Sequence, residues 1–240
     1  MRWLFTLFLA FFLPVAVMAQ TAEEDRGYLQ GLLEDNLSGA GRVVRIVGFA
    51  GALSSRATIE ELTIADEEGI WLTARGLTLG WSRAAILAGR LDIAELSAEE
   101  LLIPRAPIPA PSDTPAPEAR EFSLPDLPVS VNIGEVRITR AELGAALLGQ
   151  EATLALTGTA RLSGGDGSTE LAIERAEGGT FRLAGAFSNT TRQLTLDLGL
   201  DEPQGGLAAT LLGLPGAPAL ALTLQGDAPL DDFTARLRLT

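Results

Sequence analysis

A chain of 240 residues with 47% hydrophobic residues has material for a sizeable core, and 31 Asp and Glu against 18 Lys and Arg leave it at −13. Every basic residue is Arg, and no basic patch interrupts the acidity, so nucleic acid is not an expected partner. The absence of Cys, His and Lys excludes disulfides, Cys/His zinc sites, thiol nucleophiles, His-based triads and Schiff bases; carboxylates, hydroxyls, Arg and Tyr28 remain.

The segment "MRWLFTLFLAFFLPVAVMAQ" joins Arg2 to an apolar run from Trp3 to Met18, with small residues at Val17 and Ala19 before Gln20. Residues 1–19 read as a signal peptide or signal-anchor that directs export. The run is long for a secretory core and slightly short of the roughly 20 residues of a full span, so cleavage and retention are both open. Residues 20–40 follow as an amphipathic helix, about Glu23 to Leu37, with Tyr28, Leu29, Leu32, Leu33 and Leu37 at helical spacing. Its polar residues are mainly acidic, which favours capping a sheet end over lying on a membrane.

From Val43 the period is two. The runs "VVRIVGF", "GIWLTARGLTLGW", "ATLALTGTARL", "TFRLAGAF", "QLTLDLGL", "LALTLQG" and "FTARLRL" are bounded by Gly, Pro, Asn or Asp. They leave little room for crossover helices, which predicts an all-β, antiparallel architecture. Residues 41–104 form a first β segment with a short helix near 82–90, "SRAAILAGR"; "LAATLLGL" further on is ambiguous between helix and strand. Residues 105–128 are a Pro-rich loop that cannot sit inside a sheet. The strands resume in 129–240, and their continued pattern favours one sheet with a long excursion over two sheets joined by a spacer.

Three short stretches echo one another: "IEELTI" at Ile59, "IAELSA" at Ile93 and "IGEVRI" at Ile133. Apolar residues fall at Ile59, Leu62 and Ile64, at Ile93, Leu96 and Ala98, and at Ile133, Val136 and Ile138, with Glu61, Glu95 and Glu135 before the second apolar position. An offset of three puts two residues on opposite faces of a strict strand, and one additional residue, a β-bulge, restores them to one face. "LTARGLTLGW" repeats the device, with Leu72 and Ala74, then Leu77, Leu79 and Trp81. Downstream the alternation is clean. One face carries Leu154, Leu156, Ala160 and Leu162, then Phe181, Leu183 and Phe187, then Leu194, Leu196, Leu198 and Leu200, then Phe233, Ala235, Leu237 and Leu239. The sequence therefore predicts a long sheet with one apolar face, to be buried by a second sheet, by closure into a barrel, or by curvature into a groove for an apolar ligand.

Asp25 to Pro107 resembles the N-terminal region of the TamB family, inner-membrane subunits of the translocation and assembly module. The resemblance rests on a helix after a signal-anchor, "V-x-I-x-G-x-x-G" at Val44 to Gly51, "D-x-E-G-x-W-L" at Asp66 to Leu72, "L-x-W-S" at Leu79 to Ser82 and "GRLDIAEL" from Gly89; Leu148 to Leu162 is also similar. It implies an AsmA-like β-taco: a curved antiparallel half-pipe whose apolar inner face carries phospholipid acyl chains towards the outer membrane and supports outer-membrane protein assembly. It further implies a single-pass inner-membrane anchor at residues 3–18, a periplasmic bulk, and a TamA-like outer-membrane barrel as partner through a C-terminal domain beyond these residues. No catalytic residue, cofactor or metal comes with it. The groove would be lined by Ile59, Leu62, Ile64, Leu72, Leu77, Leu79, Ile93, Leu96, Ile133, Val136, Ile138, Leu154, Leu156, Leu162, Phe181, Leu183, Phe187, Leu194, Leu196 and Leu198.

Carboxylate chemistry or Ca²⁺ binding would have to use Asp66, Glu67 and Glu68, the pair Glu99 and Glu100, or the pair Asp231 and Asp232. All lie at apparent turns or strand ends and read as solvated acids, while "SGGDGS", Ser163 to Ser168, reads as a hairpin loop. The alternatives to the groove are a secreted or surface β-repeat adhesin and an ordinary periplasmic β-sandwich.

Overall fold

The computed structural model describes residues 31, 34, 38, 42–51, 54–108, 122–125, 127 and 129–240. The expected signal peptide or signal-anchor at 1–19, most of the expected helix at 20–40 and the middle of the Pro-rich stretch lie outside these residues. Eleven strands form one open sheet, and their order across it is their order in the chain. They are β1 (Val43–Val47), β2 (Arg56–Asp66), β3 (Gly69–Trp81), β4 (Arg90–Ile103), β5 (Ser130–Leu143), β6 (Ala152–Ser163), β7 (Asp166–Arg175), β8 (Thr180–Ser188), β9 (Gln193–Glu202), β10 (Leu220–Pro229) and β11 (Ala235–Leu239).

Among the described residues three short α-helices sit in the connections between strands, α1 (Arg83–Leu87), α2 (Ala145–Leu148) and α3 (Leu207–Leu211), and a 3-10 turn, Leu230–Asp232, joins β10 to β11. The first is the helix expected near 82–90, started by Ser82, whose hydroxyl accepts the Ala85 N–H. The third settles the ambiguous "LAATLLGL" as helical. The turn in "SGGDGS" is a two-residue hairpin loop between β6 and β7, with Gly164 and Gly165 at φ 56° and 79°. Both values are left-handed, as a type I′ turn requires.

The antiparallel expectation fails at one place. β4 and β5 pair in parallel, from Arg90 opposite Ser130 to Ile103 opposite Leu143. Parallel strands need a connection that returns to the starting end of the sheet, and the Pro-rich stretch provides it. It is thus a crossover within the sheet. The pairing also explains two of the echoes, since Ile93 lies beside Ile133, Leu96 beside Val136 and Ala98 beside Ile138. Their spacing in sequence is the register of a parallel ladder.

The offset of three at Ile59 works by a different route from the expected one-strand bulge. Ile59 faces Leu77 and Leu62 faces Ala74 in one unbroken register, so each strand spends an additional residue at the same level, Glu60 and Gly76. Ile59, Leu62 and Ile64 nonetheless pack together on a small core of Val44, Ile46, Phe49 and Ala57. One-sided shifts occur between Ile64 and Ala65, opposite Gly80/Trp81 in β4, and twice where β5 meets β6. Beyond β6 no register shift occurs. Irregularity is therefore confined to β2–β5, where it raises local twist.

The outer edge of β1 is covered. Val44 and Ile46 donate their outward N–H groups to Ser38 Oγ at 2.9 Å and Glu34 Oε1 at 2.6 Å, so side chains of the N-terminal segment occupy donors that another strand could use.

Candidate functional site

Cross-strand neighbours have side chains on the same face, so the registers show how the apolar positions line up. One row runs through Ala98, Ile138, Leu156, Ile173, Phe181, Leu200, Leu222 and Leu239. On the other side of β4, Arg75↔Glu100 and Thr78↔Ser97 keep one register, which places Leu77 level with Ala98 and extends the row to Ile59. A second row runs through Ala57, Leu79, Leu96, Val136, Gly158, Leu171, Leu183, Leu198, Leu224 and Leu237. A third includes Trp81, Ile93, Ile133, Ala160, Gly185 and Leu196, interrupted by Thr169 on β7. The flanking rows hold Leu62, Leu101 and Leu154 towards one margin, with Ile64 and Leu72 beyond them, and Leu162, Phe187 and Leu194 towards the other.

All twenty residues expected on the apolar side thus share one face. It extends over ten strands, about 43 Å at about 4.8 Å per strand. Among the described residues no large side chain is fully buried, and the leucines of β6–β10 on this face are half-buried except Leu220, with Leu237 and Leu239 63% and 57% exposed at its last strand. The sequence did not disclose Leu171 and Ile173 as members of the rows, because β7 reads "DGSTELAIER", too polar to be singled out.

Both margins of this face are occupied. At one, Glu202 stands beside Leu220 and its carboxylate accepts the Leu207 and Ala208 N–H groups at 3.1 and 2.7 Å, starting α3. Ala209 of α3 is buried, as are Ala152 and Leu220 nearby, and Gln150 and Arg175 both donate to the Gly205 carbonyl, at 3.3 and 3.5 Å. At the opposite margin the end of the crossover lies on the sheet. Phe122 meets Phe187 edge to face, centroids 5.0 Å apart, and Leu124 exchanges two 2.8 Å hydrogen bonds with the Asn189 side chain.

The opposite face is polar. Glu61, Arg75, Glu100 and Arg140 form a ladder across β2–β5, with Arg75 at 2.8 Å from Glu61 and 2.6 Å from Glu100. The other recurring acids are also paired, Glu95 with Arg56 and Glu135 with Arg137. Farther along, Ala172, Ala184 and Gly199 leave room between Thr157, Thr159, Glu170, Arg182 and Asp197, and a concavity of ≈ 870 Å³ opens there. Two smaller concavities beside it, reaching Ser168, Ala186 and Thr195, open on the same polar face.

The candidate acids hold structure together. Asp66, expected as a solvated turn residue, has a side chain only 6% exposed and accepts Arg105 Nη1 at 2.8 Å, the Ile108 N–H at 2.9 Å and the Glu68 N–H at 2.9 Å. Arg105 beside it, aided by the two backbone donors, holds the carboxyl well below the usual range, against the opposing effect of burial. Arg105 also donates to the Gly69 carbonyl at 2.8 Å. This clasp fixes the departing end of the crossover to the β2–β3 hairpin. Glu100 is engaged by two arginines, and Asp231 by Arg192, whose hydrogen bonds lower its pKa. Among the described residues no group of His, Cys, Asp and Glu is arranged to hold a metal, and no helix is long and apolar enough to cross a membrane. No protein-family model, curated protein or solved structure matches the chain.

Proposed function

We propose that the apolar face is a surface for lipid acyl chains, and that the chain acts by holding and passing them rather than by catalysing a reaction. The observation that carries this reading is the pair of central rows without a polar side chain across the sheet, from Ile59 to Leu239 and from Ala57 to Leu237, while their leucines from β6 to β10 remain half-buried. Soluble monomers rarely leave a large contiguous apolar patch open, and the aliphatic chemistry of this face suits alkyl chains. Acyl tails need no specific hydrogen bonds, so mostly aliphatic side chains on strands about 4.8 Å apart offer a track with no preferred stopping point.

The resemblance to the TamB family supplies the wider setting. In this reading the sheet bends about its apolar face as a half-pipe, residues 3–18 anchor it in the inner membrane, and the bulk lies in the periplasm. Phospholipid passes along the rows towards the outer membrane, with an outer-membrane barrel engaged through a domain beyond these residues. Export of the chain is supported by its leader, and an acidic polar face with paired charges suits the aqueous side.

A photocrosslinking amino acid placed at Leu156, Leu183 or Leu196 should yield phospholipid adducts in cells, whereas the same probe at Thr157, Ala184 or Thr195 should not. Equal labelling of both sets, or none at the apolar positions, would remove the acyl-surface reading in favour of a β-sandwich.

A further inference from the structure

The face just described already has an apolar occupant from its own chain. The Phe122–Leu124 stretch sits where the row Leu162, Gly167, Phe187, Leu194 forms one margin. The seat is built for it. Gly167 lacks the Cβ that would stand 2.7 Å from Leu124 Cδ1, so the leucine fills a gap left in the row. Asn189 takes the part of a neighbouring strand, accepting the Leu124 N–H and donating to the Leu124 carbonyl. Gly165 makes room for Asn189, because a Cβ there would lie 2.8 Å from its Nδ2, and the Asn189 N–H donates to the Gly165 carbonyl at 3.0 Å.

The hold is light despite this fit. It consists of neutral hydrogen bonds to a single side chain and of ring and methyl contacts, and Phe122 remains 56% exposed. Neutral hydrogen bonds of this kind contribute little net free energy, and apolar contact is what an alkyl chain would replace most readily.

We propose that Phe122 and Leu124 are a built-in stand-in for an acyl chain, docked on the margin at Phe187 and Gly167 and displaced when lipid enters. This rests on the acyl-surface reading. The ligand class is a lipid tail, and the Phe122–Leu124 segment and the tail compete for one site. A competitor on the same chain lowers apparent affinity by the fraction of molecules in which the site is free.

The test titrates the 240-residue protein with cis-parinaric acid and follows its fluorescence in wild type, in the double variant Phe122→Ser/Leu124→Ser, and in Asn189→Ala, with circular dichroism as the check on folding. Release of the segment should tighten parinarate binding by about threefold or more in both variants. In wild type, saturation with parinarate should speed hydrogen exchange at the Leu124 amide. Asn189→Ala keeps both apolar side chains and decides the matter if the double variant misfolds. Equal affinity in all proteins with unchanged Leu124 exchange overturns the stand-in while leaving the acyl surface intact. Weaker binding in the variants also overturns it, because the residues would then be part of the lipid's wall. Failure of every protein to bind parinarate refutes the acyl surface and the stand-in with it.

Discussion

Asp66 illustrates how a single side chain can be read correctly as acidic and wrongly as solvated. Position in a turn, between "TIA" and "EEG", gives no sign that Arg105 will return to it, since the two are brought together only by the path of β4. The pairing has a measurable consequence. Its folded carboxyl lies well below the value near 3.9 of an unfolded chain, so the stabilisation it gives is fully present above that value and is lost as pH falls through it towards the folded pKa. Between pH 5 and pH 2 the urea midpoint of the wild type should therefore fall more steeply than that of Asp66→Asn; parallel curves would mean that the clasp is not coupled to folding. The acids of the echoes tell a similar story. Glu61, Glu95 and Glu135 were legible as a repeated feature, but each finds its arginine in a different way, from the next strand, from β2, or two residues along.

At the level of elements, periodicity carried most of the fold because nothing but pleat and turn chemistry is needed to form hairpins such as β6–β7 and β8–β9. The parallel seam was missed for a physical reason: the Pro-rich sequence of the crossover carries no helical period, and proline-rich composition marks a spacer and a crossover alike. The clue lay in the echoes themselves, since identical offsets in two strands allow them to lie side by side with bulges in phase. The close approach at the seam's end is visible at Gly144, where a Cβ would meet the Pro104 carbonyl oxygen at 2.1 Å. The β6–β7 turn offers the cleaner test of an element. Gly165→Ala imposes a left-handed backbone on an L residue and presses on Asn189, and it should cost about 1–3 kcal/mol in chemical denaturation. A cost near zero would mean that the turn relaxes into another type and that the Asn189 clamp is not fixed by it.

For the whole molecule, the decisive quantity is how much of the apolar face is covered. The sequence made its composition legible, with every expected residue on one side, yet alternation alone says nothing of what lies opposite. If the face is open as described, Leu196→Asn replaces a half-buried leucine whose new amide can still reach water, and it should cost less than about 1.5 kcal/mol, against about 3 kcal/mol or more for a sealed core. A loss of the larger size in a urea titration would place a second layer over the rows.

The identity of strand order and chain order bears on how such a sheet comes into being. Each strand pairs with the one made just before it, so the sheet can lengthen strand by strand as the chain emerges. The single interruption is the parallel seam, where a long connection must be spanned before β5 finds β4. Assembly is then two rapid zippers separated by one slow search, and the pace of that search belongs to the proline-rich crossover.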